Sequence, residues 1–183
     1  MMDAMAPDDE RFRRLFELHR RAVLGYALRR AGDPADAADV LAETFLVAWR
    51  RLDEVPHRAQ DARPWLLAVA RRVLANQRRG QQRRGRLSER LGAELAAQLA
   101  AGSDRIDEDE LVARGLERLE PADREMLRLA CWEGLRPAQI ATALGEPAGT
   151  VRSRLHRART RLRRELADLG YPDAPAVAQE ERR

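Results

Sequence analysis

The sequence predicts an all-α protein: two small helical domains joined by a flexible linker, the C-terminal one a helix-turn-helix. Three observations point there. Apolar residues recur at helical spacing along most of the chain, and no stretch alternates in the manner of a strand. Aromatics make up only 4% of the 183 residues, too little for one large core. Charge comes in blocks: residues 61–103 set 9 arginines against 3 acids and 147–183 set 9 against 5, whereas 104–146 set 6 against 11. Two basic blocks on predicted helices suggest two separate contacts with a polyanion.

The elements follow in order. Phe12, Leu15, Phe16, Val23, Ala27 and Leu28 trace one side of a first helix, which Gly32 closes. Asp33-Pro34 supplies a cap and a first-turn proline for a second helix running to about Leu52. Its inward residues are Val40, Leu41, Thr44, Phe45 and Ala48, and Asp53 to Gln60, with Pro56, reads as a loop. Pro64 opens a third helix, with Trp65, Leu66, Val69, Val73 and Leu74 on its apolar side and Arg71, Arg72, Arg78 and Arg79 off it. Gly80 to Asp104 is a connector, although Leu87, Leu91, Leu95 and Leu99 recur every four residues and could form a marginal helix that folds against something else. The acidic run Asp107 to Glu110 leads into a second helical unit, where Cys131 lies in an apolar stretch (Met126, Leu127, Leu129, Trp132) and is expected to be buried. The chain from Tyr171 on has no periodic pattern and is expected to be a flexible tail. The expected boundaries are 9–80 and 106–169 for the two domains, 81–105 for the linker and 170–183 for the tail.

Composition excludes several classes. One cysteine can form neither an intramolecular disulfide nor a cysteine-based zinc cluster, and it fits a reducing cytoplasm. No run of about 18 apolar residues exists to span a membrane. Met1 to Glu10 carries acids and no basic start, unlike a signal peptide. His19, His57 and His156 fall in no ligand spacing and no glycine-rich phosphate loop is present, so no enzyme, metal or cofactor is expected. All 34 basic residues are arginine and none is lysine. Codon bias accounts for that, yet the guanidinium is permanently charged and suits bidentate phosphate contacts.

The sharpest pattern is Arg136 to Arg164, RPAQIATALGEPAGTVRSRLHRARTRLRR. Pro137 to Leu144 reads as a short helix with Ile140 and Leu144 buried, Gly145 as the turn, and Pro147 as the start of the next helix. There Val151, Leu155, Ala158, Leu162 and Leu166 keep one face apolar. The other faces carry Arg152, Ser153, His156, Arg157, Thr160 and Arg163. That is the pattern of a support helix and a basic helix able to enter a major groove, and also that of an ordinary two-helix corner on a basic protein. In the groove reading, residues near the helix start reach base edges and later arginines meet phosphates.

The segment GEPAGTVRSRLHRARTRLRREL resembles the promoter-reading helix of the extracytoplasmic-function group of bacterial sigma factors, within the sigma-70 family. DPADAADVLAETFLVAWRRLDE (Asp33 to Glu54) resembles that group's polymerase-binding helix, and ARPWLLAVARRVLANQRRGQQRR (Ala62 to Arg84) its minus-ten reading and melting helix. Order, linker and total length agree from about Arg11 to Leu166.

The resemblance implies a non-enzymatic factor that gives bacterial RNA polymerase core its promoter specificity. It places Asp39, Glu43, Leu46, Trp49 and Arg50 on the face docking a coiled coil of the largest polymerase subunit. By pattern alone, Trp49 fits core packing equally, and Asp39 and Glu43 fit a solvated helix face. It places Arg71, Arg72, Arg78 and Arg79 at the minus-ten element, with the preceding loop, Val55 to Ala62, pocketing an unstacked base. Arg72 stands where many members carry Asn, and Ala42 where many carry Gln. It places Thr150, Arg152, Ser153, His156 and Arg157 at the minus-thirty-five element, though His156 also fits a neutral surface side chain. Arg154, Arg159 and Arg161 suit phosphate contact or pairing with the acidic stretch 107–125. Many members also bind a dedicated anti-sigma protein. A stand-alone helix-turn-helix regulator would explain Arg136 to Arg164, but neither the first basic helix nor the Asp33 to Glu54 motif.

Overall fold

A computed structural model describes residues 7–31, 33–84 and 108–171. Gly32, the leucine stripe Leu87 to Leu99 and the chain beyond Tyr171 lie outside the described residues. Among those residues there are seven α-helices, a short 3-10 turn at Leu52–Glu54 and no strand. They are α1 Pro7–Leu28, α2 Pro34–Arg50, α3 Ala59–Arg84, α4 Glu108–Glu117, α5 Pro121–Cys131, α6 Pro137–Leu144 and α7 Ala148–Asp168. They form two compact units, one built on α1 to α3 and the other on α4, α5, the first part of α6 and α7.

In the N-terminal unit each helix packs on the other two. Val23, Tyr26 and Ala27 of α1, Ala37, Val40, Phe45 and Ala48 of α2, and Leu66, Leu67 and Ala70 of α3 are buried together. At one end, Phe12, Phe16, Phe45 and Trp49 interlock edge to face, with ring centroids 6.2 Å (Phe12 to Phe45), 5.0 Å (Phe12 to Trp49) and 4.8 Å (Phe16 to Phe45) apart. Such pairs add to the area they bury because the positive ring edge meets the negative face. The α2 start follows its sequence signal: Asp33 is extended, its Oδ1 accepts from the Asp36 N–H at 2.8 Å, and Pro34 needs no donor there.

Two features of this unit differ from the sequence expectation. α3 begins five residues before Pro64, because the Arg58 carbonyl already accepts the N–H groups of Asp61 and Ala62. Pro64 thus falls in the second turn, where it has no N–H to donate to the Gln60 carbonyl four residues before it. On α1 the stripe turns away from Leu28, which is 48% exposed, and runs through His19 and Tyr26. Burial lowers the His19 pKa, and the Arg63 charge lowers it further. Its Nε2 is buried without a hydrogen-bond partner.

In the C-terminal unit α7 packs on α4 and α5. Val151, Leu155, Ala158, Leu162 and Leu166 are all buried, as their spacing required. Leu116, Met126, Leu127, Leu129 and Ile140 are buried as well. Leu144 is only half-buried, and Ala141 is buried beside Ile140 on α6. Gly145 turns the chain between α6 and α7 with φ 71°, where an L side chain would be strained, and the Glu146 N–H closes onto the Ala141 carbonyl at 3.1 Å. Arg124 in the first turn of α5 ties down the end of α4: its Nε donates to the Leu116 carbonyl at 2.9 Å and its Nη2 to that of Leu119 at 3.1 Å.

The His19 environment gives a pH dependence. The folded state disfavours the charged imidazole, so this contribution to stability is full above the ordinary value of 6.5 and is lost as pH falls from there through the lowered folded pKa. Chemical denaturation of the full chain across that window should show stability falling with pH, and His19→Gln should flatten the fall. An unchanged slope in the variant would show that the imidazole titrates alike in both states.

Candidate polymerase and promoter-DNA surfaces

Three exposed surfaces contain the residues singled out in the sequence. On α2, Asp39, Glu43, Leu46 and Arg50 follow one another at helical spacing and Trp49 lies beside them. All five are exposed, including Leu46 at 41% and Trp49 at 42%. Trp49 is packed and exposed at once: its ring meets Phe12 at a steep angle while much of the indole faces out. The ridge separates two grooves. One, of about 740 Å³, is lined by Phe12 and Phe16 of α1 and Phe45, Leu46 and Trp49 of α2, with Asp9 and Arg13 at its rim. The other, of about 800 Å³, sets Asp39 and Glu43 of α2 against Arg72, Asn76 and Gln77 of α3. The last two were not singled out in the sequence, because their partners lie on another helix.

The α3 arginines divide. Arg71 and Arg72 are exposed and make no hydrogen bond or ion pair among the described residues. Arg78 is instead drawn into the fold: its Nη2 donates to the Arg30 carbonyl at 2.7 Å, just past the end of α1. Arg30 lies over the Tyr26 ring, 3.8 Å from its centroid, and donates to the Tyr26 carbonyl at 3.3 Å. Arg79 donates to the Asn76 side-chain oxygen. The stretch Val55 to Ala62 is less of a loop than expected. Val55 is buried with its carbonyl held by Arg11 Nη2 at 2.7 Å, and Ala59 onward is helix, leaving Pro56 to Arg58 between.

On α7, Thr150, Arg152, Ser153, His156 and Arg157 are all exposed. Four of them (Arg152, Ser153, His156 and Arg157), with Gly149, line a shallow hollow of about 510 Å³. Pro147 stands at the N-cap, where its side chain can accept no hydrogen bond, so the first-turn N–H groups have no capping side-chain acceptor. Ser153 Oγ donates to the Thr150 carbonyl at 3.0 Å, holding it close to the backbone. Arg154 and Arg161 lie elsewhere on the helix and pair inward with Asp123. Their alternative as pairing partners of the acidic stretch is the one the fold takes.

Cys131 departs from expectation. It is exposed at the end of α5, and the buried acid nearby is Glu133. Desolvation around the sulfur still raises the thiol pKa, with Arg159 opposing, so the thiolate is disfavoured. Among the described residues no group of His, Cys, Asp or Glu could hold a metal ion, and no helix is long and apolar enough to cross a membrane.

Family models agree with this geometry: sigma-70 region 2 matches residues 15–84 and sigma-70 region 4 matches residues 109–162. The extracytoplasmic-function (ECF) RNA polymerase sigma factor SigL of Mycobacterium tuberculosis is 36% identical over 172 residues, covering 91% of this chain and 95% of the relative. Among solved structures, CnrH in complex with the cytosolic domain of CnrY is 28% identical with a TM-score of 0.58, covering 86% of this chain and 88% of that one. Sigma factor RpoE from Bartonella quintana, in complex with the anti-sigma factor NepR, shares the fold at TM-score 0.60 and 23% identity, covering 85% of this chain and 96% of that one. Two helical units that match sigma-70 regions 2 and 4 define a promoter-specificity factor, and the chain belongs to the extracytoplasmic-function sigma factors of RNA polymerase.

The two kinds of α3 arginine should behave differently. Arg78→Ala should destabilise the chain by about 1.5 kcal/mol, the lower end for a charged donor, since the bond is only partly buried. Arg72→Ala should stay within about 0.5 kcal/mol of the parent. Thermal melts of both variants check the contrast, and equal melts would remove the structural role of Arg78.

Proposed function

We propose that this chain docks polymerase core through the α2 ridge, holds the minus-ten element along α3 and reads the minus-thirty-five element with the start of α7. The observation that carries it is the ridge itself. Leaving Leu46 and Trp49 about two-fifths exposed beside two acids has no use in a stand-alone helix-turn-helix regulator, but it suits a partner helix that is both apolar and basic. The division of labour we assign is 9–80 for core binding and the minus-ten element, 81–105 as linker with its first four residues continuing α3, 106–169 for the minus-thirty-five element, and 170–183 as tail.

On α3, Arg71 and Arg72 are the cations open to single-stranded DNA phosphate or bases, with Asn76 beside them as a hydrogen-bonding group. Arg78 and Arg79 support this surface by holding the helix. On α7, Arg152 and Arg157 are suited to guanine, Ser153 and His156 to short polar contacts, and Thr150 with the bare helix start to a phosphate. The chain acts by binding alone, in the cytoplasm, with no cofactor. The complexes of similar sigma factors with a partner protein support an anti-sigma protein as a third partner beside core polymerase and promoter DNA.

Purified chain should co-elute with bacterial core polymerase and support transcription from a two-element promoter. Leu46→Arg or Glu43→Arg should weaken co-elution at least about tenfold, or 1.4 kcal/mol, with unchanged melting. Loss of neither would sink the ridge assignment. Tight binding to palindromic duplex with no core binding would instead favour the regulator. On the DNA side, Arg152→Ala and Arg157→Ala should each lose roughly 1–3 kcal/mol of discrimination at one minus-thirty-five base pair. Uniform weakening on every sequence, measured by competition binding, would make them phosphate contacts.

A further inference from the structure

A recognition helix carrying seven arginines between Val151 and Arg164 faces a conflict. Each guanidinium that reaches phosphate raises affinity for every sequence alike, and only those at base edges raise specificity. The surroundings of α7 treat its arginines unequally. Asp123, in the first turn of α5, is 4% exposed. One of its carboxylate oxygens accepts from Arg161 Nη1, and the other pairs with Arg154 Nη2 at 3.7 Å. Arg154 Nη1 also donates to both oxygens of Glu146, at 3.0 and 2.9 Å.

Arg154 and Arg161 are seven residues apart and share one stripe of the helix. At 3.6 residues per turn Arg152 and His156 lie roughly 170° and 150° round the axis from that stripe, Ser153 roughly 90° and Arg157 roughly 50°. The Arg161 side chain is 53% exposed, so it can swing outward if released. A carboxylate buried this deeply needs cationic partners, which makes the pairing persistent rather than incidental.

We propose that Asp123 is a specificity-determining positioning residue: by holding Arg154 and Arg161 against α5, it withholds two of the seven arginines of α7 from phosphate. This rests on the reading of α7 as the minus-thirty-five helix. Of the five arginines left, Arg152, Arg159 and Arg163 lie on the far side of the helix with His156, and Arg157 and Arg164 lie between that side and the withheld stripe. Glu146 shares the load on Arg154 alone, so Asp123 governs Arg161.

The sign of the effect separates this role from a merely structural one. With the full chain and a duplex of arbitrary sequence, Asp123→Asn should bind several-fold tighter at about 50 mM salt, and its log K should fall more steeply with log salt by about 0.9 for each guanidinium released. From a randomised duplex pool it should enrich a less defined sequence than the parent, and Asp123→Glu should restore the parent's behaviour. Weaker binding to all sequences, or no change in slope, would overturn the proposal. If Asp123→Asn does not fold, Arg161→Gln decides: it should leave affinity and slope for arbitrary duplex unaltered, and a slope shallower by about 0.9 would show that Arg161 already contacts phosphate. A parent that enriches no sequence from the pool would count against the minus-thirty-five reading, while the salt slopes would still test the withholding of the two arginines.

Discussion

A guanidinium cannot shed its charge, so every arginine in this chain must either face water and ligands or be paired inside. With 34 arginines, no lysine and few aromatics, that constraint shapes both units. The fold meets it by turning arginines into connectors. Arg11 reaches the Val55 carbonyl, Arg78 the Arg30 carbonyl, and Arg124 the exposed carbonyl end of α4. Each joins parts of the chain that are distant or differently directed, and two of the three act where a helix ends and its last carbonyls lack partners. Where the apolar core is modest, such bonds fix helix ends that side-chain packing alone would leave loose.

The same constraint decides which arginines the fold itself uses. Sequence spacing separates those on an apolar face from those off it, but it cannot tell an outward arginine that meets a ligand from one that bends back to a carbonyl. Arg72 and Arg78 both lie on the outer part of α3, and the difference between them comes from the end of α1, forty-eight residues before Arg78. Arg152 and Arg154 differ likewise through Asp123, thirty-one residues before Arg154. Linear charge blocks therefore overstate how much charge both basic helices keep clear of intrachain partners.

Other parts of the molecule were open to reading from sequence in proportion to how local their physics is. The Asp33-Pro34 cap, the Gly145 turn and the buried stripe of α7 each follow from residues within a turn or two, and all three stand as the spacing implied. The α1 stripe was obscured because two of its members, His19 and Tyr26, are polar by type. Spacings of four, three, four and three from Phe12 through Phe16, His19, Val23 and Tyr26 carry the signal once polarity is set aside. Cys131 shows the opposite failure. An apolar neighbourhood in sequence suggested burial, yet the residue closes α5 where the helix has already turned its packed face away.

Exposure on α2 has a cost that the rest of the N-terminal unit must carry. Leu46 and Trp49 leave apolar surface in water that a monomeric core would cover, and each exposed side chain forgoes part of the roughly 1.5–3 kcal/mol its burial would provide. The interlocked rings of Phe12, Phe16 and Phe45 lie directly beneath and hold the ridge in place without a partner. A surface organised before binding loses less entropy on docking than one that must first assemble. The aromatic residues, scarce in this chain, are concentrated at the place where a rigid, unburied apolar face is needed, and the arginines supply elsewhere the helix-end fixation that those aromatics cannot.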